Sequence, residues 1–415
     1  MEKQKNIPAL RFPEFTEEWE DKKLDNGIKL ISGQHLGPGE YNYNREGIPY
    51  FTGPSDFTNE EFYVTKWTNK SKLFGERNDI LITVKGSGVG TMMVLKLAKV
   101  AMGRQLMAIK SRHFNANFVH YFLSTKIDLL AALASGNLIP GITRQDILTL
   151  KLKVPNFPEQ QKIASFLSAI DEKLQALKKK KSLLEQYKKG VMQKIFSQEI
   201  RFKDDNGADF PEWEEKSFGS IYSFKPTNSL SRDKLNYESG QVRNIHYGDI
   251  HTKFNLLFDV RKESVPFINE EISLERINKD NYCKEGDLII ADASEDYADI
   301  GKCIEIVNLN NEKVLAGLHT FLARPEINKM AKGFGGFSMK SEKVRLQIMT
   351  IAQGTKVLSI STTRLANVKL PIPCLAEQTK IANFLSAIDE KINHCQTQIE
   401  KTEQYKKGLL QQMFV

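Results

Sequence analysis

The sequence predicts an α+β protein in which two domains alternate with two long coiled-coil helices. At 415 residues the chain exceeds what one hydrophobic core usually organises. One long segment occurs twice, and both copies carry the apolar spacing of a coiled coil. These observations predict a first domain at residues 1–157, a first helix at residues 158–200, a second domain at residues 201–373 and a second helix at residues 374–415.

The repeated segment keeps one register over a long block. EQQKIASFLSAIDEKL begins at Glu159 and EQTKIANFLSAIDEKI begins at Glu377, an offset of 218 residues. A repeat of this length does not arise by chance. Pro158 resembles a helix start, with the next carboxylate near the positive end of the helix dipole. Weaker likeness extends into the domains, where NDILIT from Asn78 resembles GDLIIA from Gly286. The two domains therefore share a framework, whereas their loops differ.

The helical block has an apolar seam with alternating spacings of three and four residues, which is typical of a coiled coil. Lys181 and Lys188 occupy seam positions in the first helix, and Thr402 and Lys406 interrupt the second. So narrow a seam needs a partner, and the two matched helices of this chain are the nearest partners available. The predicted seam residues are Ile163, Leu167, Ile170, Leu174, Leu177 and Leu184 in the first helix, and Ile381, Leu385, Ile388, Ile392, Ile399 and Leu409 in the second.

Short β-rich runs between turn signals, together with one helical stretch, predict the α+β character of the domains. ILITV from Ile80 and LIIA from Leu288 are the clearest strands. FVHYFLSTKIDLLAALA from Phe118 predicts one helix. Its counterpart contains Gly335 and Gly336, each of which weakens a helix by about 1 kcal/mol relative to alanine.

Composition narrows the class of protein. The N-terminus lacks a cationic patch followed by an apolar stretch, and no run approaches the length of a membrane helix, so we expect a soluble, cytoplasmic protein. The 59 Lys and Arg against 51 Asp and Glu suit a polyanionic partner, and the excess lies in the N-terminal half. The cysteines form no C-x-x-C pair, so we expect free buried thiols at Cys283, Cys303, Cys374 and Cys395.

The repeated helical motif carries a family resemblance. E-Q-x-K-I-A-x-F-L-S-A-I-D-E-K, preceded by VPNFPEQ or PIPCLAEQ, resembles the specificity subunits of type I restriction-modification systems, and the openings FPEFTEEWE and FPEWEEK are similar to that family's target-recognition domains. The resemblance implies two such domains in a pseudo-two-fold arrangement, separated by two long antiparallel helices. Each domain would read one half of a bipartite asymmetric DNA target, and the helices would set the spacer and dock methyltransferase subunits.

The resemblance also implies partners and cofactors. The expected partners are double-stranded DNA, two adenine-methyltransferase subunits and two ATP-dependent translocase/nuclease subunits, with no membrane. This chain would be non-catalytic and bind no cofactor, because S-adenosylmethionine, ATP and Mg²⁺ would be held by the partner subunits.

The residues themselves show little chemistry. The sequence has no [DNS]-P-P-[YFW] clamp for a flipped adenine, and the glycine-rich loop from Gly86 lacks the features of a nucleotide loop. His246, Asp249 and His251 have no further ligand at a suitable spacing, so we predict no metal site. A self-sufficient methyltransferase or restriction enzyme would need these missing motifs. A coiled-coil adaptor without DNA binding would not need two divergent domains.

Base reading needs side chains that reach base edges, and the loops that differ between the copies are where we expect them. Each candidate also suits an ordinary surface or phosphate contact. The candidates are Lys85, Ser87, Arg104, Gln105, Asn137, Thr143 and Arg144 in the first domain, and Arg243, His246, Tyr247, Ser294, Tyr297, His319, Thr320, Lys356, Thr362, Thr363 and Arg364 in the second.

Two charged clusters allow more than one interpretation. Asp292, Glu295, Asp296 and Asp299 crowd one loop, where a carboxylate could accept from cytosine N4 or the loop could face away from DNA. The lysines at 178–181 suit a solvated helix face or contacts to the backbone of the unread spacer.

Overall fold

The computed structural model describes residues 7–134 and 140–414, and the chain divides into two compact units. Unit 1 comprises Met1–Lys179 and Thr397–Val415, and unit 2 comprises Lys180–Gln396. Each unit therefore contains one α+β domain and a part of each long helix.

Unit 1 contains two four-stranded sheets with the orders β2-β9-β6-β7 and β4-β3-β8-β5, and a separate antiparallel pair, β1-β10. The strands are β1 (Glu20–Lys23), β2 (Ile28–Ser32), β3 (Ile48–Phe51), β4 (Trp67–Thr68), β5 (Phe74–Glu76), β6 (Ile80–Thr83), β7 (Met92–Val94), β8 (Lys99–Met102), β9 (Leu106–Ser111) and β10 (Lys151–Val154). The helices are α1 (Ala116–Ser124), α2 (Ile127–Ala134), α3 (Arg144–Leu148) and the first long helix, α4 (Phe157–Phe196).

Unit 2 contains sheets with the orders β12-β21-β17-β19-β15 and β13-β16-β14-β20, and the pairs β11-β23 and β18-β22. The strands are β11 (Glu214–Ser217), β12 (Tyr222–Lys225), β13 (Leu235–Asn236), β14 (Val242–Ile245), β15 (Leu257–Asp259), β16 (Phe267–Ile268), β17 (Leu288–Ala291), β18 (Ala293–Ser294), β19 (Cys303–Asn308), β20 (Lys313–Ala316), β21 (Thr320–Pro325), β22 (Leu358–Ser359) and β23 (Lys369–Ile372). The helices are α5 (Tyr247–Thr252), α6 (Phe334–Lys340), α7 (Glu342–Ile351), α8 (Thr362–Leu365) and the second long helix, α9 (Leu375–Met413).

The two domains are built on the same strand framework. The order β2-β9-β6 in unit 1 matches β12-β21-β17 in unit 2, and the parallel pair β3-β8 matches β14-β20. In each unit the opening strand pairs antiparallel with the strand that leads into the long helix. The weak likeness between the two halves of the sequence therefore marks a common three-dimensional frame.

The single helix predicted from Phe118 is wrong in detail, because the structure divides this stretch into α1 and α2. The chain turns after Ser124, where the Thr125 hydroxyl donates to the carbonyl of Phe122. The turn lets both helices bury apolar residues, among them Phe118 and Leu130, which are fully buried.

The counterpart, α6, forms despite its two glycines because they allow a close approach. A Cβ at Gly335 would lie 2.3 Å from Tyr222 Oη. The Gly336 amide donates to Glu305 Oε2 at 2.7 Å. Burial raises the pKa of Glu305 to about 7, although the hydrogen bonds that it accepts from backbone amides favour the charged form.

The long helices pack through the predicted seam within each unit. In unit 1, Ile163 and Leu167 share a core with Leu409 and Met413. In unit 2, a core contains Ile195, Ile381, Leu385 and Ile388. Ile163, Leu167, Ile381, Leu385, Ile388, Ile399 and Leu409 are buried, and Ile170, Leu174, Leu177, Leu184 and Ile392 are half-buried.

A lysine–aspartate ion pair joins the two helices in each unit. Lys406 Nζ lies 2.5 Å from Asp171 Oδ1 in unit 1, and Lys188 Nζ lies 2.5 Å from Asp389 Oδ1 in unit 2. In unit 1, Lys178 of α4 also pairs with a residue of α9 that precedes Lys406, so the segments run antiparallel there. Two of the lysines that interrupt the apolar seam, Lys188 and Lys406, are therefore paired across it, whereas Lys181 pairs with Glu185 of its own helix.

A buried carboxylate stands in the first turn of each long helix. Arg11 donates two hydrogen bonds of 2.7 Å to Glu159, and the Trp19 indole donates to the same carboxylate at 3.2 Å. Glu377 likewise accepts from an arginine and a tryptophan of the segment that opens the second domain, Arg201 and Trp213, each at 2.9 Å. Glu159 therefore joins the domain to the helix, beyond the dipole effect expected from the sequence.

Replacing Arg11 should destabilise unit 1, because it leaves the buried Glu159 carboxylate without its cation. We expect Arg11→Met to lower the free energy of unfolding by about 3 kcal/mol, as in other broken buried ion pairs. Urea denaturation followed by tryptophan fluorescence measures the change. Lys162→Met is the matched control. Lys162 lies on the same helix, but its ion pair with Glu14 is about half exposed and should contribute less than about 1 kcal/mol. Equal losses in the two variants would contradict this role of Glu159.

Candidate nucleic-acid interface

Three loops of unit 1 meet at the end of its strands. The loop after β6 bonds to the turn after β8, where the Val84 amide donates to the Gln105 carbonyl at 2.7 Å. It also bonds to the loop before α3, since the Ile142 amide donates to the Val84 carbonyl at 2.9 Å and the Gly86 amide donates to the Pro140 carbonyl at 2.9 Å. Most of the candidate readers of the first domain lie in these loops.

Unit 2 repeats this loop arrangement. The Asp292 amide donates to the His319 carbonyl at 3.1 Å, and the Ile360 amide donates to the Asp292 carbonyl at 2.9 Å. A further loop, after β14, approaches the same place, because the Tyr247 ring centroid lies 5.3 Å from that of His319. Both domains therefore gather their variable loops at one edge of the shared framework.

Some candidate readers have free side chains. These residues are exposed and have no side-chain hydrogen bond or ion pair with any part of the chain that the structure describes. A free donor or acceptor is what a base edge or a phosphate requires. The group comprises Lys85, Ser87, Arg104, Gln105, Tyr297, Lys356 and Thr363. Thr362 is half-buried and also has no side-chain partner within the described residues.

Other candidates use their polar atoms inside the fold. The Arg144 guanidinium donates to Ser32 Oγ and the Leu30 carbonyl, and Thr143 caps α3. Arg243 pairs with Glu312 and stacks 4.1 Å from the centroid of a phenylalanine ring, and the Arg364 guanidinium donates to a backbone carbonyl. The buried candidates are His246, Ser294 and Thr320. Base reading by these residues stays a prediction, and Asn137 lies outside the described residues.

The acidic loop of unit 2 is largely satisfied internally. Asp292 Oδ1 lies 3.2 Å from His319 Nδ1, and burial raises the pKa of this aspartate. Asp296 accepts from the backbone of its own loop, and Asp299 lies 3.6 Å from Lys302. Lys302 therefore screens the charge of Asp299, whereas the backbone hydrogen bond leaves the charge of Asp296 in place.

The residues proposed and rejected as metal ligands have other partners. Asp249 pairs with Arg232 and Lys253, and His251 Nε2 lies 3.0 Å from the Ala293 carbonyl oxygen. Within residues 7–134 and 140–414, no group of three His, Cys, Asp or Glu side chains is placed to hold a metal ion. All four cysteines are free, and Cys374 is only half-buried, which corrects the expectation for that residue.

Several structurally important partners were missed by sequence reasoning. The sequence indicated His319 as a candidate reader but not its contact with Asp292. It also indicated the seam lysines but not their aspartate partners, Asp171 and Asp389. The repeat offers a signal for the latter, since Asp171 and Asp389 have the same offset of 218 as Lys188 and Lys406. Asp292 and His319 meet because they directly follow the pair Ala291 and Thr320 in the antiparallel register of β17 and β21, and the sequence does not show which strands pair.

Comparisons with known proteins indicate the class of this protein, which is one with two related domains for DNA recognition. The family profile described as "Type I restriction modification DNA specificity domain" matches residues 16–186 and 211–404. The chain therefore belongs to the family of type I restriction-modification DNA-specificity subunits, with one specificity domain in each half. Among the described residues, no helix is long and apolar enough to cross a membrane.

Individual relatives have the same description. The type I restriction enzyme MjaVIII specificity subunit of Methanocaldococcus jannaschii is 26% identical over 98% of this chain and 93% of that protein. The putative MjaX specificity subunit of the same organism is 32% identical, but the match spans 48% of this chain and 47% of that protein.

Solved structures share the fold. The S subunit of a type I restriction-modification system from M. genitalium has a TM-score of 0.63 at 17% identity, over 99% of both chains. A chain from a study of complex assembly and conformational transition of the type I R-M system has a TM-score of 0.52 at 15% identity, over 95% of both chains.

The free cations of unit 1 should contribute to DNA affinity without supporting the fold. We expect Lys85→Ala combined with Arg104→Ala to weaken binding to a mixed-sequence duplex at least about tenfold. The slope of log K against log salt concentration should fall by about two, because two phosphate contacts are lost. Fluorescence anisotropy at several salt concentrations measures both. The midpoint of urea denaturation should stay unchanged, whereas Arg243→Met should lower it. Unchanged affinity in the double variant would place DNA elsewhere.

Proposed function

We propose that this chain gives a type I restriction-modification enzyme its DNA specificity by reading a bipartite, asymmetric target in double-stranded DNA. Each domain binds one half of the target through its loop cluster. The observation that carries this proposal is the repeated strand framework with divergent loops. A shared frame suits two readers of one polymer, and different loops suit two different half-targets.

The chemistry of modification and cleavage belongs to partner subunits in this proposal. Two adenine-methyltransferase subunits bind S-adenosylmethionine, and two ATP-dependent translocase/nuclease subunits bind ATP and Mg²⁺. The specificity chain itself is non-catalytic and needs no cofactor, which agrees with the missing [DNS]-P-P-[YFW] clamp. The assembly acts on DNA in the cytoplasm.

Equivalent exposed residues on the two long helices support docking of two copies of one partner. Tyr187 of α4 and Tyr405 of α9 are offset by 218 residues, and they are 55% and 56% exposed. Phe157 and Leu375 have the same offset and are also exposed. Large apolar side chains that a helix leaves exposed at matched positions suit a repeated protein contact. We propose that each set contacts one methyltransferase subunit.

Reconstitution tests the function directly. The purified chain should transfer no methyl group from labelled S-adenosylmethionine to DNA, and activity should appear when the cognate methyltransferase subunit is added. Sequencing of methylated adenines should then give a two-part motif. Replacing residues 1–155 with the domain of a relative should change one half of that motif and leave the other half and the spacer unchanged. Methylation by the chain alone, or a change in both halves together, would overturn the proposal.

The helices are also proposed to set the spacer between the half-targets. The support is that both helices keep the same seam and the same Lys-Asp pair at matched positions. A helix rises about 1.5 Å per residue, so four added residues lengthen it by about 6 Å. That length corresponds to at most about two base pairs at roughly 3.4 Å each. Each added pair also rotates the second site by about 34–36°, so we expect one added pair.

A paired insertion tests the spacer. Four residues are inserted within 178–184 of α4 and four within 396–402 of α9, which leaves the pairs Lys406–Asp171 and Lys188–Asp389 intact. The methylated motif should keep both half-targets and gain one unread base pair. Insertion in α4 alone is the control, and it should cost stability and activity because the two helices no longer match. An active paired variant that methylates only the original spacing would show that the helices do not set the distance.

A further inference from the structure

One turn position holds a polar residue that faces the loop cluster in both domains. Strand β8 and the turn after it read KVAMGRQ, and β20 and the turn after it read KVLAGLH, so Gln105 and His319 are equivalent. At the preceding position the turns hold Arg104 and Leu318, and the leucine cannot hydrogen-bond a base through its side chain. In the second domain, His319 therefore occupies the position that Gln105 occupies in the first domain.

The backbone holds both residues in the same way. The carbonyl of Gln105 accepts from the residue that follows β6, Val84, and the carbonyl of His319 accepts from the residue that follows β17, Asp292. The loop after the neighbouring parallel strand approaches each of them. A Cβ at Gly53 would lie 2.9 Å from Gln105 Oε1, and Tyr247, at the equivalent position, packs against the His319 ring.

Gln105 has the chemistry of an adenine reader. Its side chain is exposed, and its amide has no hydrogen-bond partner in the part of the chain that the structure describes. Glutamine forms two hydrogen bonds with adenine, donating to N7 and accepting from the N6 amino group. The absence of a side chain at Gly53 keeps the amide oxygen open to such a contact.

His319 is held in a fixed and uncommon conformation. Its φ of 54° lies in the left-handed region, which residues with a side chain rarely adopt. Asp292 accepts from Nδ1 at 3.2 Å, so only Nε2 is available to DNA. The tautomer in which Nδ1 donates to Asp292 presents Nε2 as a hydrogen-bond acceptor. An acceptor at this position suits the N4 amino group of cytosine in a G·C pair.

We propose that Gln105 and His319 are equivalent specificity-determining residues, each selecting one base pair of its own half-target, an A·T pair for Gln105 and a G·C pair for His319. Asp292 is the positioning residue for His319. This inference rests on the proposed function, because it assigns a base pair to each reader.

The test uses the full complex with its methyltransferase subunit and maps methylated adenines. Gln105→Ala should relax one A·T position of the first half-target, lowering discrimination there by about 5- to 150-fold, the equivalent of about 1–3 kcal/mol. His319→Asn should replace one G·C position of the second half-target by A·T, because asparagine tolerates the left-handed backbone and pairs with adenine. The other half-target in each variant is the internal control.

A second variant covers the case in which His319→Asn fails to fold. Asp292→Asn keeps the histidine but offers Nδ1 either a donor or an acceptor, so the tautomer is no longer fixed, and the same G·C position should relax while the urea midpoint of the complex stays near that of the parent. A structural role alone would lower the midpoint without changing one base of the motif. If the parent methylates no bipartite target, the proposed function fails. If the parent does and the active variants keep its motif at every position, only this inference fails.

Discussion

The pairing of a seam lysine with an aspartate of the opposite helix is the interaction on which the architecture of each unit depends. Lys406 lies between Asp171 and the ring of Tyr121, and Lys188 lies between Asp389 and the ring of Phe337. Each lysine therefore joins α9, α4 and a helix of the recognition domain at one point. A shift of either helix by one turn would leave a charge in an apolar seam, so the pair selects one register.

A rigid base of this kind explains how the loops can diverge. In each unit a buried carboxylate, Glu159 or Glu377, fastens the opening segment to the helix, and the strand pairs β1-β10 and β11-β23 close the domain. The loops at the other strand ends carry few of these contacts. Their sequences can change with the target while the frame that positions them stays the same.

Many candidate readers could be named from the sequence, but their roles could not be separated there. Gln105 and Arg144 both lie in variable loops and both carry suitable donors. The structure separates them because the Arg144 guanidinium is bonded to Ser32 and Leu30, whereas the Gln105 amide is free within the described residues. Such partners come from distant parts of the chain, so the sequence around each candidate does not indicate them.

The sequence by itself determined the order of domains and helices, the seam and the family, because a repeat at one offset and a heptad spacing are properties of the chain as written. Tertiary structure decided the rest. The helix from Phe118 breaks at Thr125, where the chain turns, and both short helices bury apolar residues in the same core. Asp292 meets His319 because β17 and β21 pair antiparallel with Ala291 opposite Thr320, so the residues just beyond that pair face each other. Both outcomes depend on packing between segments distant in sequence, which composition and periodicity do not encode.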